Sequence, residues 1–238
     1  MEFAKLSAPT LKELFITELE SMILSGRLAV GEKLPPEREL AESMQVSRAV
    51  VNSGIAELAR KGFLTVKPRV GVFVGDYRRH GTAETLRAIM TYNGGHLRRE
   101  EVKSMLETKL VLDRLAAQLA IPKMTNAQQE ALRVLLEAID TARQAGDLQG
   151  AVDGAFRFYH ELAFISGNTL IPLIYNSFEI LVLSLWERYG RKYGPDTVYQ
   201  GVARLYDAIA RRDVDAALRS IEATVGETIR GAREIYSD

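Results

Sequence analysis

The sequence predicts a mostly α-helical chain, in which one small β-hairpin separates three N-terminal helices from an all-helical bundle of about six or seven helices. Three observations carry that expectation. Apolar residues recur every three or four positions over most of the chain, two short runs rich in β-branched and aromatic residues adjoin at 63–67 and 70–74, and glycine or proline marks the connections.

In residues 11–25, Leu11, Leu14, Phe15, Leu19, Met22 and Ile23 line one helical face, and Thr10 with Glu13 three positions on forms a capping-box pattern. Gly26 stops this helix, and Gly31 and Pro35-Pro36 keep the next stretch in turn and extended conformations. A second helix spans 37–44 with Leu40 and Ala41 inward. Ser47 then serves as N-cap of a third helix over 48–60, whose buried stripe is Val51, Ile55, Leu58 and Ala59. Gly62 ends it, and the two short runs, with Pro68-Arg69 between them, form the hairpin. Three helices and such a hairpin make a winged helix-turn-helix over residues 1–75, in which the second helix supports the third and the third enters a major groove.

Residues 76–84 are polar and serve as a linker, and 85–238 form a helical effector-binding and dimerisation domain. Its helices are expected near 84–92, 99–120, 126–145, 148–166, 168–193, 195–212 and 214–236.

Composition excludes several function classes. With no cysteine there is no disulfide, thiolate nucleophile or Cys-ligated zinc, and a cytoplasmic location is expected. The N-terminus lacks the basic and apolar regions of a signal peptide, and the longest weakly charged run, 170–186, contains Pro172, Asn176 and Glu179, so no membrane role is expected. No phosphate-binding glycine loop, zinc-protease helix or serine-hydrolase elbow is present, so the chain is not expected to be an enzyme. Net charge is zero, yet residues 45–79 carry seven basic and two acidic side chains, a local excess of +5.

That excess falls on the reading elements. Arg48, in the first turn of the third helix, can offer a bidentate guanidinium to guanine, and Ser47 with the free N–H groups of the helix start can meet a phosphate. Arg38 can reach backbone or base, and Lys67 and Arg69 in the hairpin can reach flanking phosphates or a minor groove. Each also has a plainer reading: solvated charge for Arg48, pairing of Arg38 with Glu37 or Glu42, and edge protection by Lys67 and Arg69.

From Gly26 to Val74 the chain resembles the GntR family of bacterial transcription regulators: Gly31, Leu34, Pro35, Glu37-Arg38, Leu40-Ala41, Val46-Ser47-Arg48, Leu58, Gly62-Phe63-Leu64 and Gly71 follow its pattern. The helical remainder resembles the FadR-like branch. The resemblance implies a homodimer that binds double-stranded operator DNA with an inverted or pseudo-inverted repeat, its affinity set by a small-molecule effector; a constitutive DNA-binding dimer is the alternative. Asn52-Ser53 stands where many members have Arg-Glu; asparagine can pair with adenine but brings no positive charge. Arg69 stands where the family usually has glycine.

Many members of the branch hold a metal with one Asp and three His. Here the corresponding histidine positions fall at Tyr159, Val202 and Thr224, and the chain has only His80, His96 and His160, so no metal and no cofactor is expected. Residues 158–193 are similar to the fatty-acid-responsive member of the branch. That similarity implies an acyl-coenzyme A or another amphipathic carboxylate, held along Ile171, Ile174, Phe178, Leu181 and Leu185 with Arg188, Arg191 and Lys192 near the head group. Lys109, Tyr159, His160 and Glu227 complete the expected effector set, although Ala232 stands where that member has an indole. The plainer reading of the apolar stripe is core packing.

Overall fold

The computed structural model describes residues 9–92, 99–229 and Ile235, the side chains of residues 90, 91 and 227 excepted. It divides into two compact units, Met1–Gly94 and Gly95–Asp238. No helix among the described residues is long and apolar enough to cross a membrane.

In the first unit α1 (Leu11–Leu24), α2 (Glu37–Ser43) and α3 (Arg48–Arg60) precede β1 (Leu64–Lys67) and β2 (Gly71–Val74). The Thr10 capping box forms as expected, with Thr10 N donating to Glu13 Oε2 at 2.7 Å and Glu13 N to Thr10 Oγ1 at 3.2 Å. That backbone donor holds the Glu13 carboxyl below the usual carboxylate range. Phe15, Leu19, Val51, Ile55, Leu58 and Phe63 form the core. Gly54 lies where α3 meets Phe15, a position at which any side chain would collide with the ring.

The strands pair antiparallel, Leu64 opposite Val74 and Lys67 opposite Gly71. The extended segment before α2 joins them: Leu34 N donates to Val72 O, Val74 N to Glu32 O and Gly31 N to Val74 O at 2.8–2.9 Å, and Lys33 bridges to Phe73. The wing therefore has a third edge that the strand pattern does not announce.

The region read as linker is folded. It contains α4 (Tyr77–His80), with the Tyr77 ring 5.5 Å from Phe63, and leads into α5 (Ala83–Thr91). The sequence reading places α5 with the effector domain, whereas its Ala88 joins the first unit's core, with Ile89 and Tyr92 packed against it. Thr85 Oγ1 donates to the carbonyl of Lys61 at the end of α3, and Arg60 pairs with Glu84 at 2.5 Å. Amphipathic spacing shows that α5 has an apolar face but not which core takes it.

The second unit contains α6 (Arg99–Ala120), α7 (Asn126–Gln144), α8 (Leu148–Ile165), α9 (Ile171–Tyr193), α10 (Pro195–Ala210) and α11 (Val214–Ile229), six helices among the described residues. In the turn before α9, Asn168 Oδ1 accepts from Leu170 N at 2.9 Å and from Ile171 N at 3.3 Å, and the helix begins at Ile171, three residues later than expected. Arg212, with φ of 57°, donates to the carbonyls of Ile121 and Met124 and ties the α10–α11 turn to the end of α6. The helix α8 is the most buried: Phe158 and Leu162 are inaccessible, and α6, α7, α9 and α10 pack around it.

Candidate functional site

The first candidate surface is built on α3. Ser47 caps that helix by accepting from Val50 N at 3.3 Å, which fixes its first turn. Val51, Ile55 and Leu58 bury one face, and the opposite face leaves Ser47, Arg48, Ala49, Asn52 and Ser53 exposed. Arg38 is exposed on α2 and ion-pairs with Glu42 at 2.9 Å, the plainer pairing foreseen for it. With its amide oriented by the surrounding donors and acceptors, Asn52 donates to Glu37 Oε2 at 2.5 Å and Oε1 at 3.2 Å. Asn52 is thus anchored to the start of α2.

The wing turn shows the cost of its sequence. Val70 N donates to Lys67 O at 3.0 Å across Pro68-Arg69, and Arg69 has φ of 64°. Proline second and a positive-φ residue third is the pattern of a type II turn, whose third place favours glycine; a side chain there costs about 1–2 kcal/mol. The departure from glycine at Arg69 therefore places an exposed guanidinium at the tip of the turn. Lys67 Nζ lies 4.7 Å and Lys33 Nζ 6.0 Å from the centre of the Phe73 ring, so two ammonium groups border one aromatic. Sequence reasoning missed Lys33, because its placement comes from the bridge to Phe73 and not from local spacing.

The second candidate lies inside the helical unit. Lys109 on α6 is 6% exposed and Asp113, one turn on, is fully buried; Nζ and Oδ2 are 2.5 Å apart. The ammonium lies 4.0 Å from the centre of the Tyr159 ring on α8 and 5.8 Å from that of Tyr175 on α9. Burial outweighs the Lys109 charge at Asp113 and pushes its carboxyl up to about 6, and burial pushes the Tyr159 phenol up to about 12. Two cavities adjoin Lys109. One, of about 40 Å³, is walled by Leu106, Val182, Leu185, Trp186, Thr224, Thr228 and neighbours; the other, of about 10 Å³, by Met105, Leu112, Tyr175, Phe178 and Val182.

The structure therefore brings Lys109, Tyr159 and Phe178 together, along with Asp113, Tyr175, Thr224 and Thr228, which the expected effector set left out. His160 is half-buried and stacks on Phe156 at 6.0 Å. Arg188 is half-buried on α9 and lines neither cavity. Arg191 is exposed and bound to Glu187 at 2.6 Å, and Lys192 lies 5.7 Å from the centre of the Tyr193 ring. Of the stripe expected to hold an acyl chain, Phe178 and Leu185 line the cavities, whereas Ile171 and Leu181 are packed as core. The Glu227 side chain, His96 and Ala232 lie outside the described residues.

A metal does not fit this cluster. Its one carboxylate is held by an ammonium, the ring of Tyr159 covers the same ammonium, and no three His, Cys, Asp or Glu side chains are grouped for a metal among the described residues.

A capped helix with an exposed reading face, beside a basic wing and joined in one chain to an all-helical unit, defines a winged helix-turn-helix protein. Comparison with known proteins gives the particular kind. Residues 12–74 match the bacterial regulatory proteins of the gntR family, and residues 104–226 match the FCD domain. The transcriptional repressor NanR of Cronobacter sakazakii is 30% identical over 230 residues, 91% of this chain and 83% of that one. LutR of Bacillus subtilis, a transcriptional regulator, is 28% identical over 195 residues, 79% of this chain and 86% of that one. Among solved structures, that of Lar, described as controlling the agr system of Listeria monocytogenes, has a TM-score of 0.62 at 18% identity, covering 95% of this chain and 98% of its own. McbR/YncC of E. coli has a TM-score of 0.52 at 15% identity, covering 97% and 100%. The chain belongs to the GntR family, in its FadR-like branch, as a DNA-binding transcription regulator with an FCD effector-binding domain, and not an enzyme.

Proposed function

We propose that the chain works in the cytoplasm as a homodimeric repressor, whose two α3 helices read an inverted or pseudo-inverted repeat and whose helical units bind a small carboxylate that changes operator affinity. The observation that carries this reading is the exposed Ser47–Arg48 turn of α3 beside the wing that presents Lys67 and Arg69. Arg48 supplies the base contact, Ser47 and Arg38 the phosphate contacts, and Asn52 either fixes α2 through Glu37 or exchanges that bond for adenine. The assignment as a repressor rests on the relatives named as repressors. A two-fold protein presents one reading helix to each half-site, and this supports a repeat in the operator.

Effector control requires a coupling free energy between the two units, about 1–3 kcal/mol for a five- to 150-fold change in occupancy. The buried Lys109 supports an anionic ligand. A long acyl chain finds less support, since the cavities of about 40 and 10 Å³ hold only a few water-sized groups and Ile171 and Leu181 of the α9 stripe are occupied by packing. Selection from a random duplex library, followed by binding at matched salt, tests the reading. A palindromic consensus bound at least tenfold more weakly by Arg48→Ala is the expected result; no enriched sequence, or equal binding by the variant, overturns it.

A further inference from the structure

The orientation of one amide decides what the α3 reading face offers beside Arg48. Asn52 stands one helical turn beyond Arg48 and is exposed like it. Its Nδ2 donates to Glu37 Oε2 at 2.5 Å and to Oε1 at 3.2 Å, and Glu37 is half-buried at the start of α2. The reverse orientation would set Oδ1 against the same carboxylate, oxygen to oxygen at hydrogen-bond distance with no proton between them. Glu37 therefore holds the amide in one of its two orientations. The end turned away from Glu37 is the carbonyl, an acceptor. Many members of the family carry arginine here, which has donors only, so Asn52 changes the sign of the contact as well as its charge.

A base can meet this amide in two ways. Pairing with adenine at both N6 and N7 needs the acceptor and a donor. Both of the amide's donations go to Glu37, so that pairing exchanges a charge-assisted bond for a neutral one of about half its strength. Keeping the bond leaves the carbonyl alone to read. An acceptor meets the exocyclic amino group of adenine or cytosine and is repelled by guanine O6 and thymine O4.

We propose that Glu37 is a specificity-determining positioning residue, which fixes Asn52 so that Oδ1 reads the amino group of an adenine or cytosine and leaves adenine N7 unused. This rests on the DNA-reading role of α3 proposed above and specifies its second contact. Four residues of helix advance about 6 Å, so the base lies within about two steps of the one that Arg48 meets.

The test uses the full-length protein and the duplex selected with it. Selection repeated with Asn52→Ala locates the base pair, as the position whose preference flattens while that read by Arg48 stays. Affinities are then measured at matched salt for duplexes that carry one of four bases there, on the strand where adenine binds the tighter: adenine, cytosine, purine, which lacks the amino group, and 7-deazaadenine, which lacks the N7 acceptor. Adenine, cytosine and 7-deazaadenine bind within about threefold of one another, and purine at least about fivefold more weakly. Glu37→Ala frees the amide to pair with adenine at both atoms, so this variant binds cytosine and 7-deazaadenine at least about fivefold more weakly than adenine. A residue that only braced α2 would change all four affinities alike. Asn52→Ala that leaves every preference in place, purine that matches adenine, 7-deazaadenine as poor as purine, or Glu37→Ala that shifts all four duplexes equally overturns the proposal. The analogue series on the unaltered chain decides the matter even if Glu37→Ala melts early. Arg48→Ala separates the two readings: unchanged binding by that variant overturns the reading role of α3, whereas weakened binding beside an indifferent Asn52 overturns the role of Glu37 alone.

Discussion

The two units place charge in opposite ways. In the winged helix-turn-helix, Arg38, Arg48, Lys67 and Arg69 stand on the surface, and the Arg38–Glu42 pair leaves 79% and 65% of its side chains exposed. In the helical unit, Lys109 and Asp113 are sealed in with 7% and 0% exposure. Solvent screens the first arrangement, so those charges are free to exchange partners with a polyanion. The second keeps its field, so changing either partner is felt throughout the fold. One region keeps its charges on a surface outside its core; the other is a core that carries a polar fault in its packing.

The sharpest way to break that comparison is Lys109→Met. Left alone in the interior, Asp113 should cost about 3–5 kcal/mol of stability, and adding Asp113→Leu should recover most of it, both read from urea denaturation. A single variant as stable as the unaltered chain would mean that water reaches the pair. On the surface side, Arg48→Ala should cost about 1–3 kcal/mol of specific binding per half-site with the melting curve unchanged, checked by operator titration beside calorimetry.

The contrast also has a pH signature. The Asp113 carboxyl, pushed up to about 6 in the fold from an ordinary value of 3.8, keeps its proton in the native state over a range where the unfolded chain has lost it. Its contribution favours the fold below about pH 4, is lost as pH rises through about 6, and then levels off. Measured against the double variant, the unaltered chain should lose urea resistance between pH 4 and 6; parallel profiles would show that Asp113 titrates normally.

Smaller effects sharpen the surface side. Arg69→Gly should relieve the left-handed strain of about 1–2 kcal/mol, of which the unfolded chain's gain in backbone entropy leaves about 1 kcal/mol of added stability, while the salt dependence of operator binding falls by roughly one unit of slope. Salt titration combined with thermal melts reads both at once. Arg38→Ala should leave the melting temperature unchanged, because an exposed ion pair contributes little.

These contrasts explain what the sequence could disclose. The face of α3 follows from Ser47 as cap and from three-four spacing, both local, and the position of Arg48 follows with it. Lys33 and α5 depend on partners distant in the chain: Phe73 for the first, and the core around Phe15 and the Lys61 carbonyl for the second. Lys109 and Asp113 stand four residues apart on a helix, a spacing that reads equally well as a surface ion pair. Their burial is decided by α8, α9 and α11, brought in from far downstream by packing that no local pattern encodes. The apolar run of α9 shows the converse: its hydrophobicity is plain in the sequence, but whether it lines a void or fills one is settled by its neighbours.

The seating of α5 on the end of α3 bears on how the protein can be taken apart. A fragment trimmed at residue 75, where the strands stop, would strip the covering from the Phe63 ring and the Lys61 carbonyl and leave a greasy scar prone to clumping. Ending the fragment after Tyr92 retains Tyr77, Thr85 and Ala88, and makes it the shortest piece expected to stay dispersed in solution.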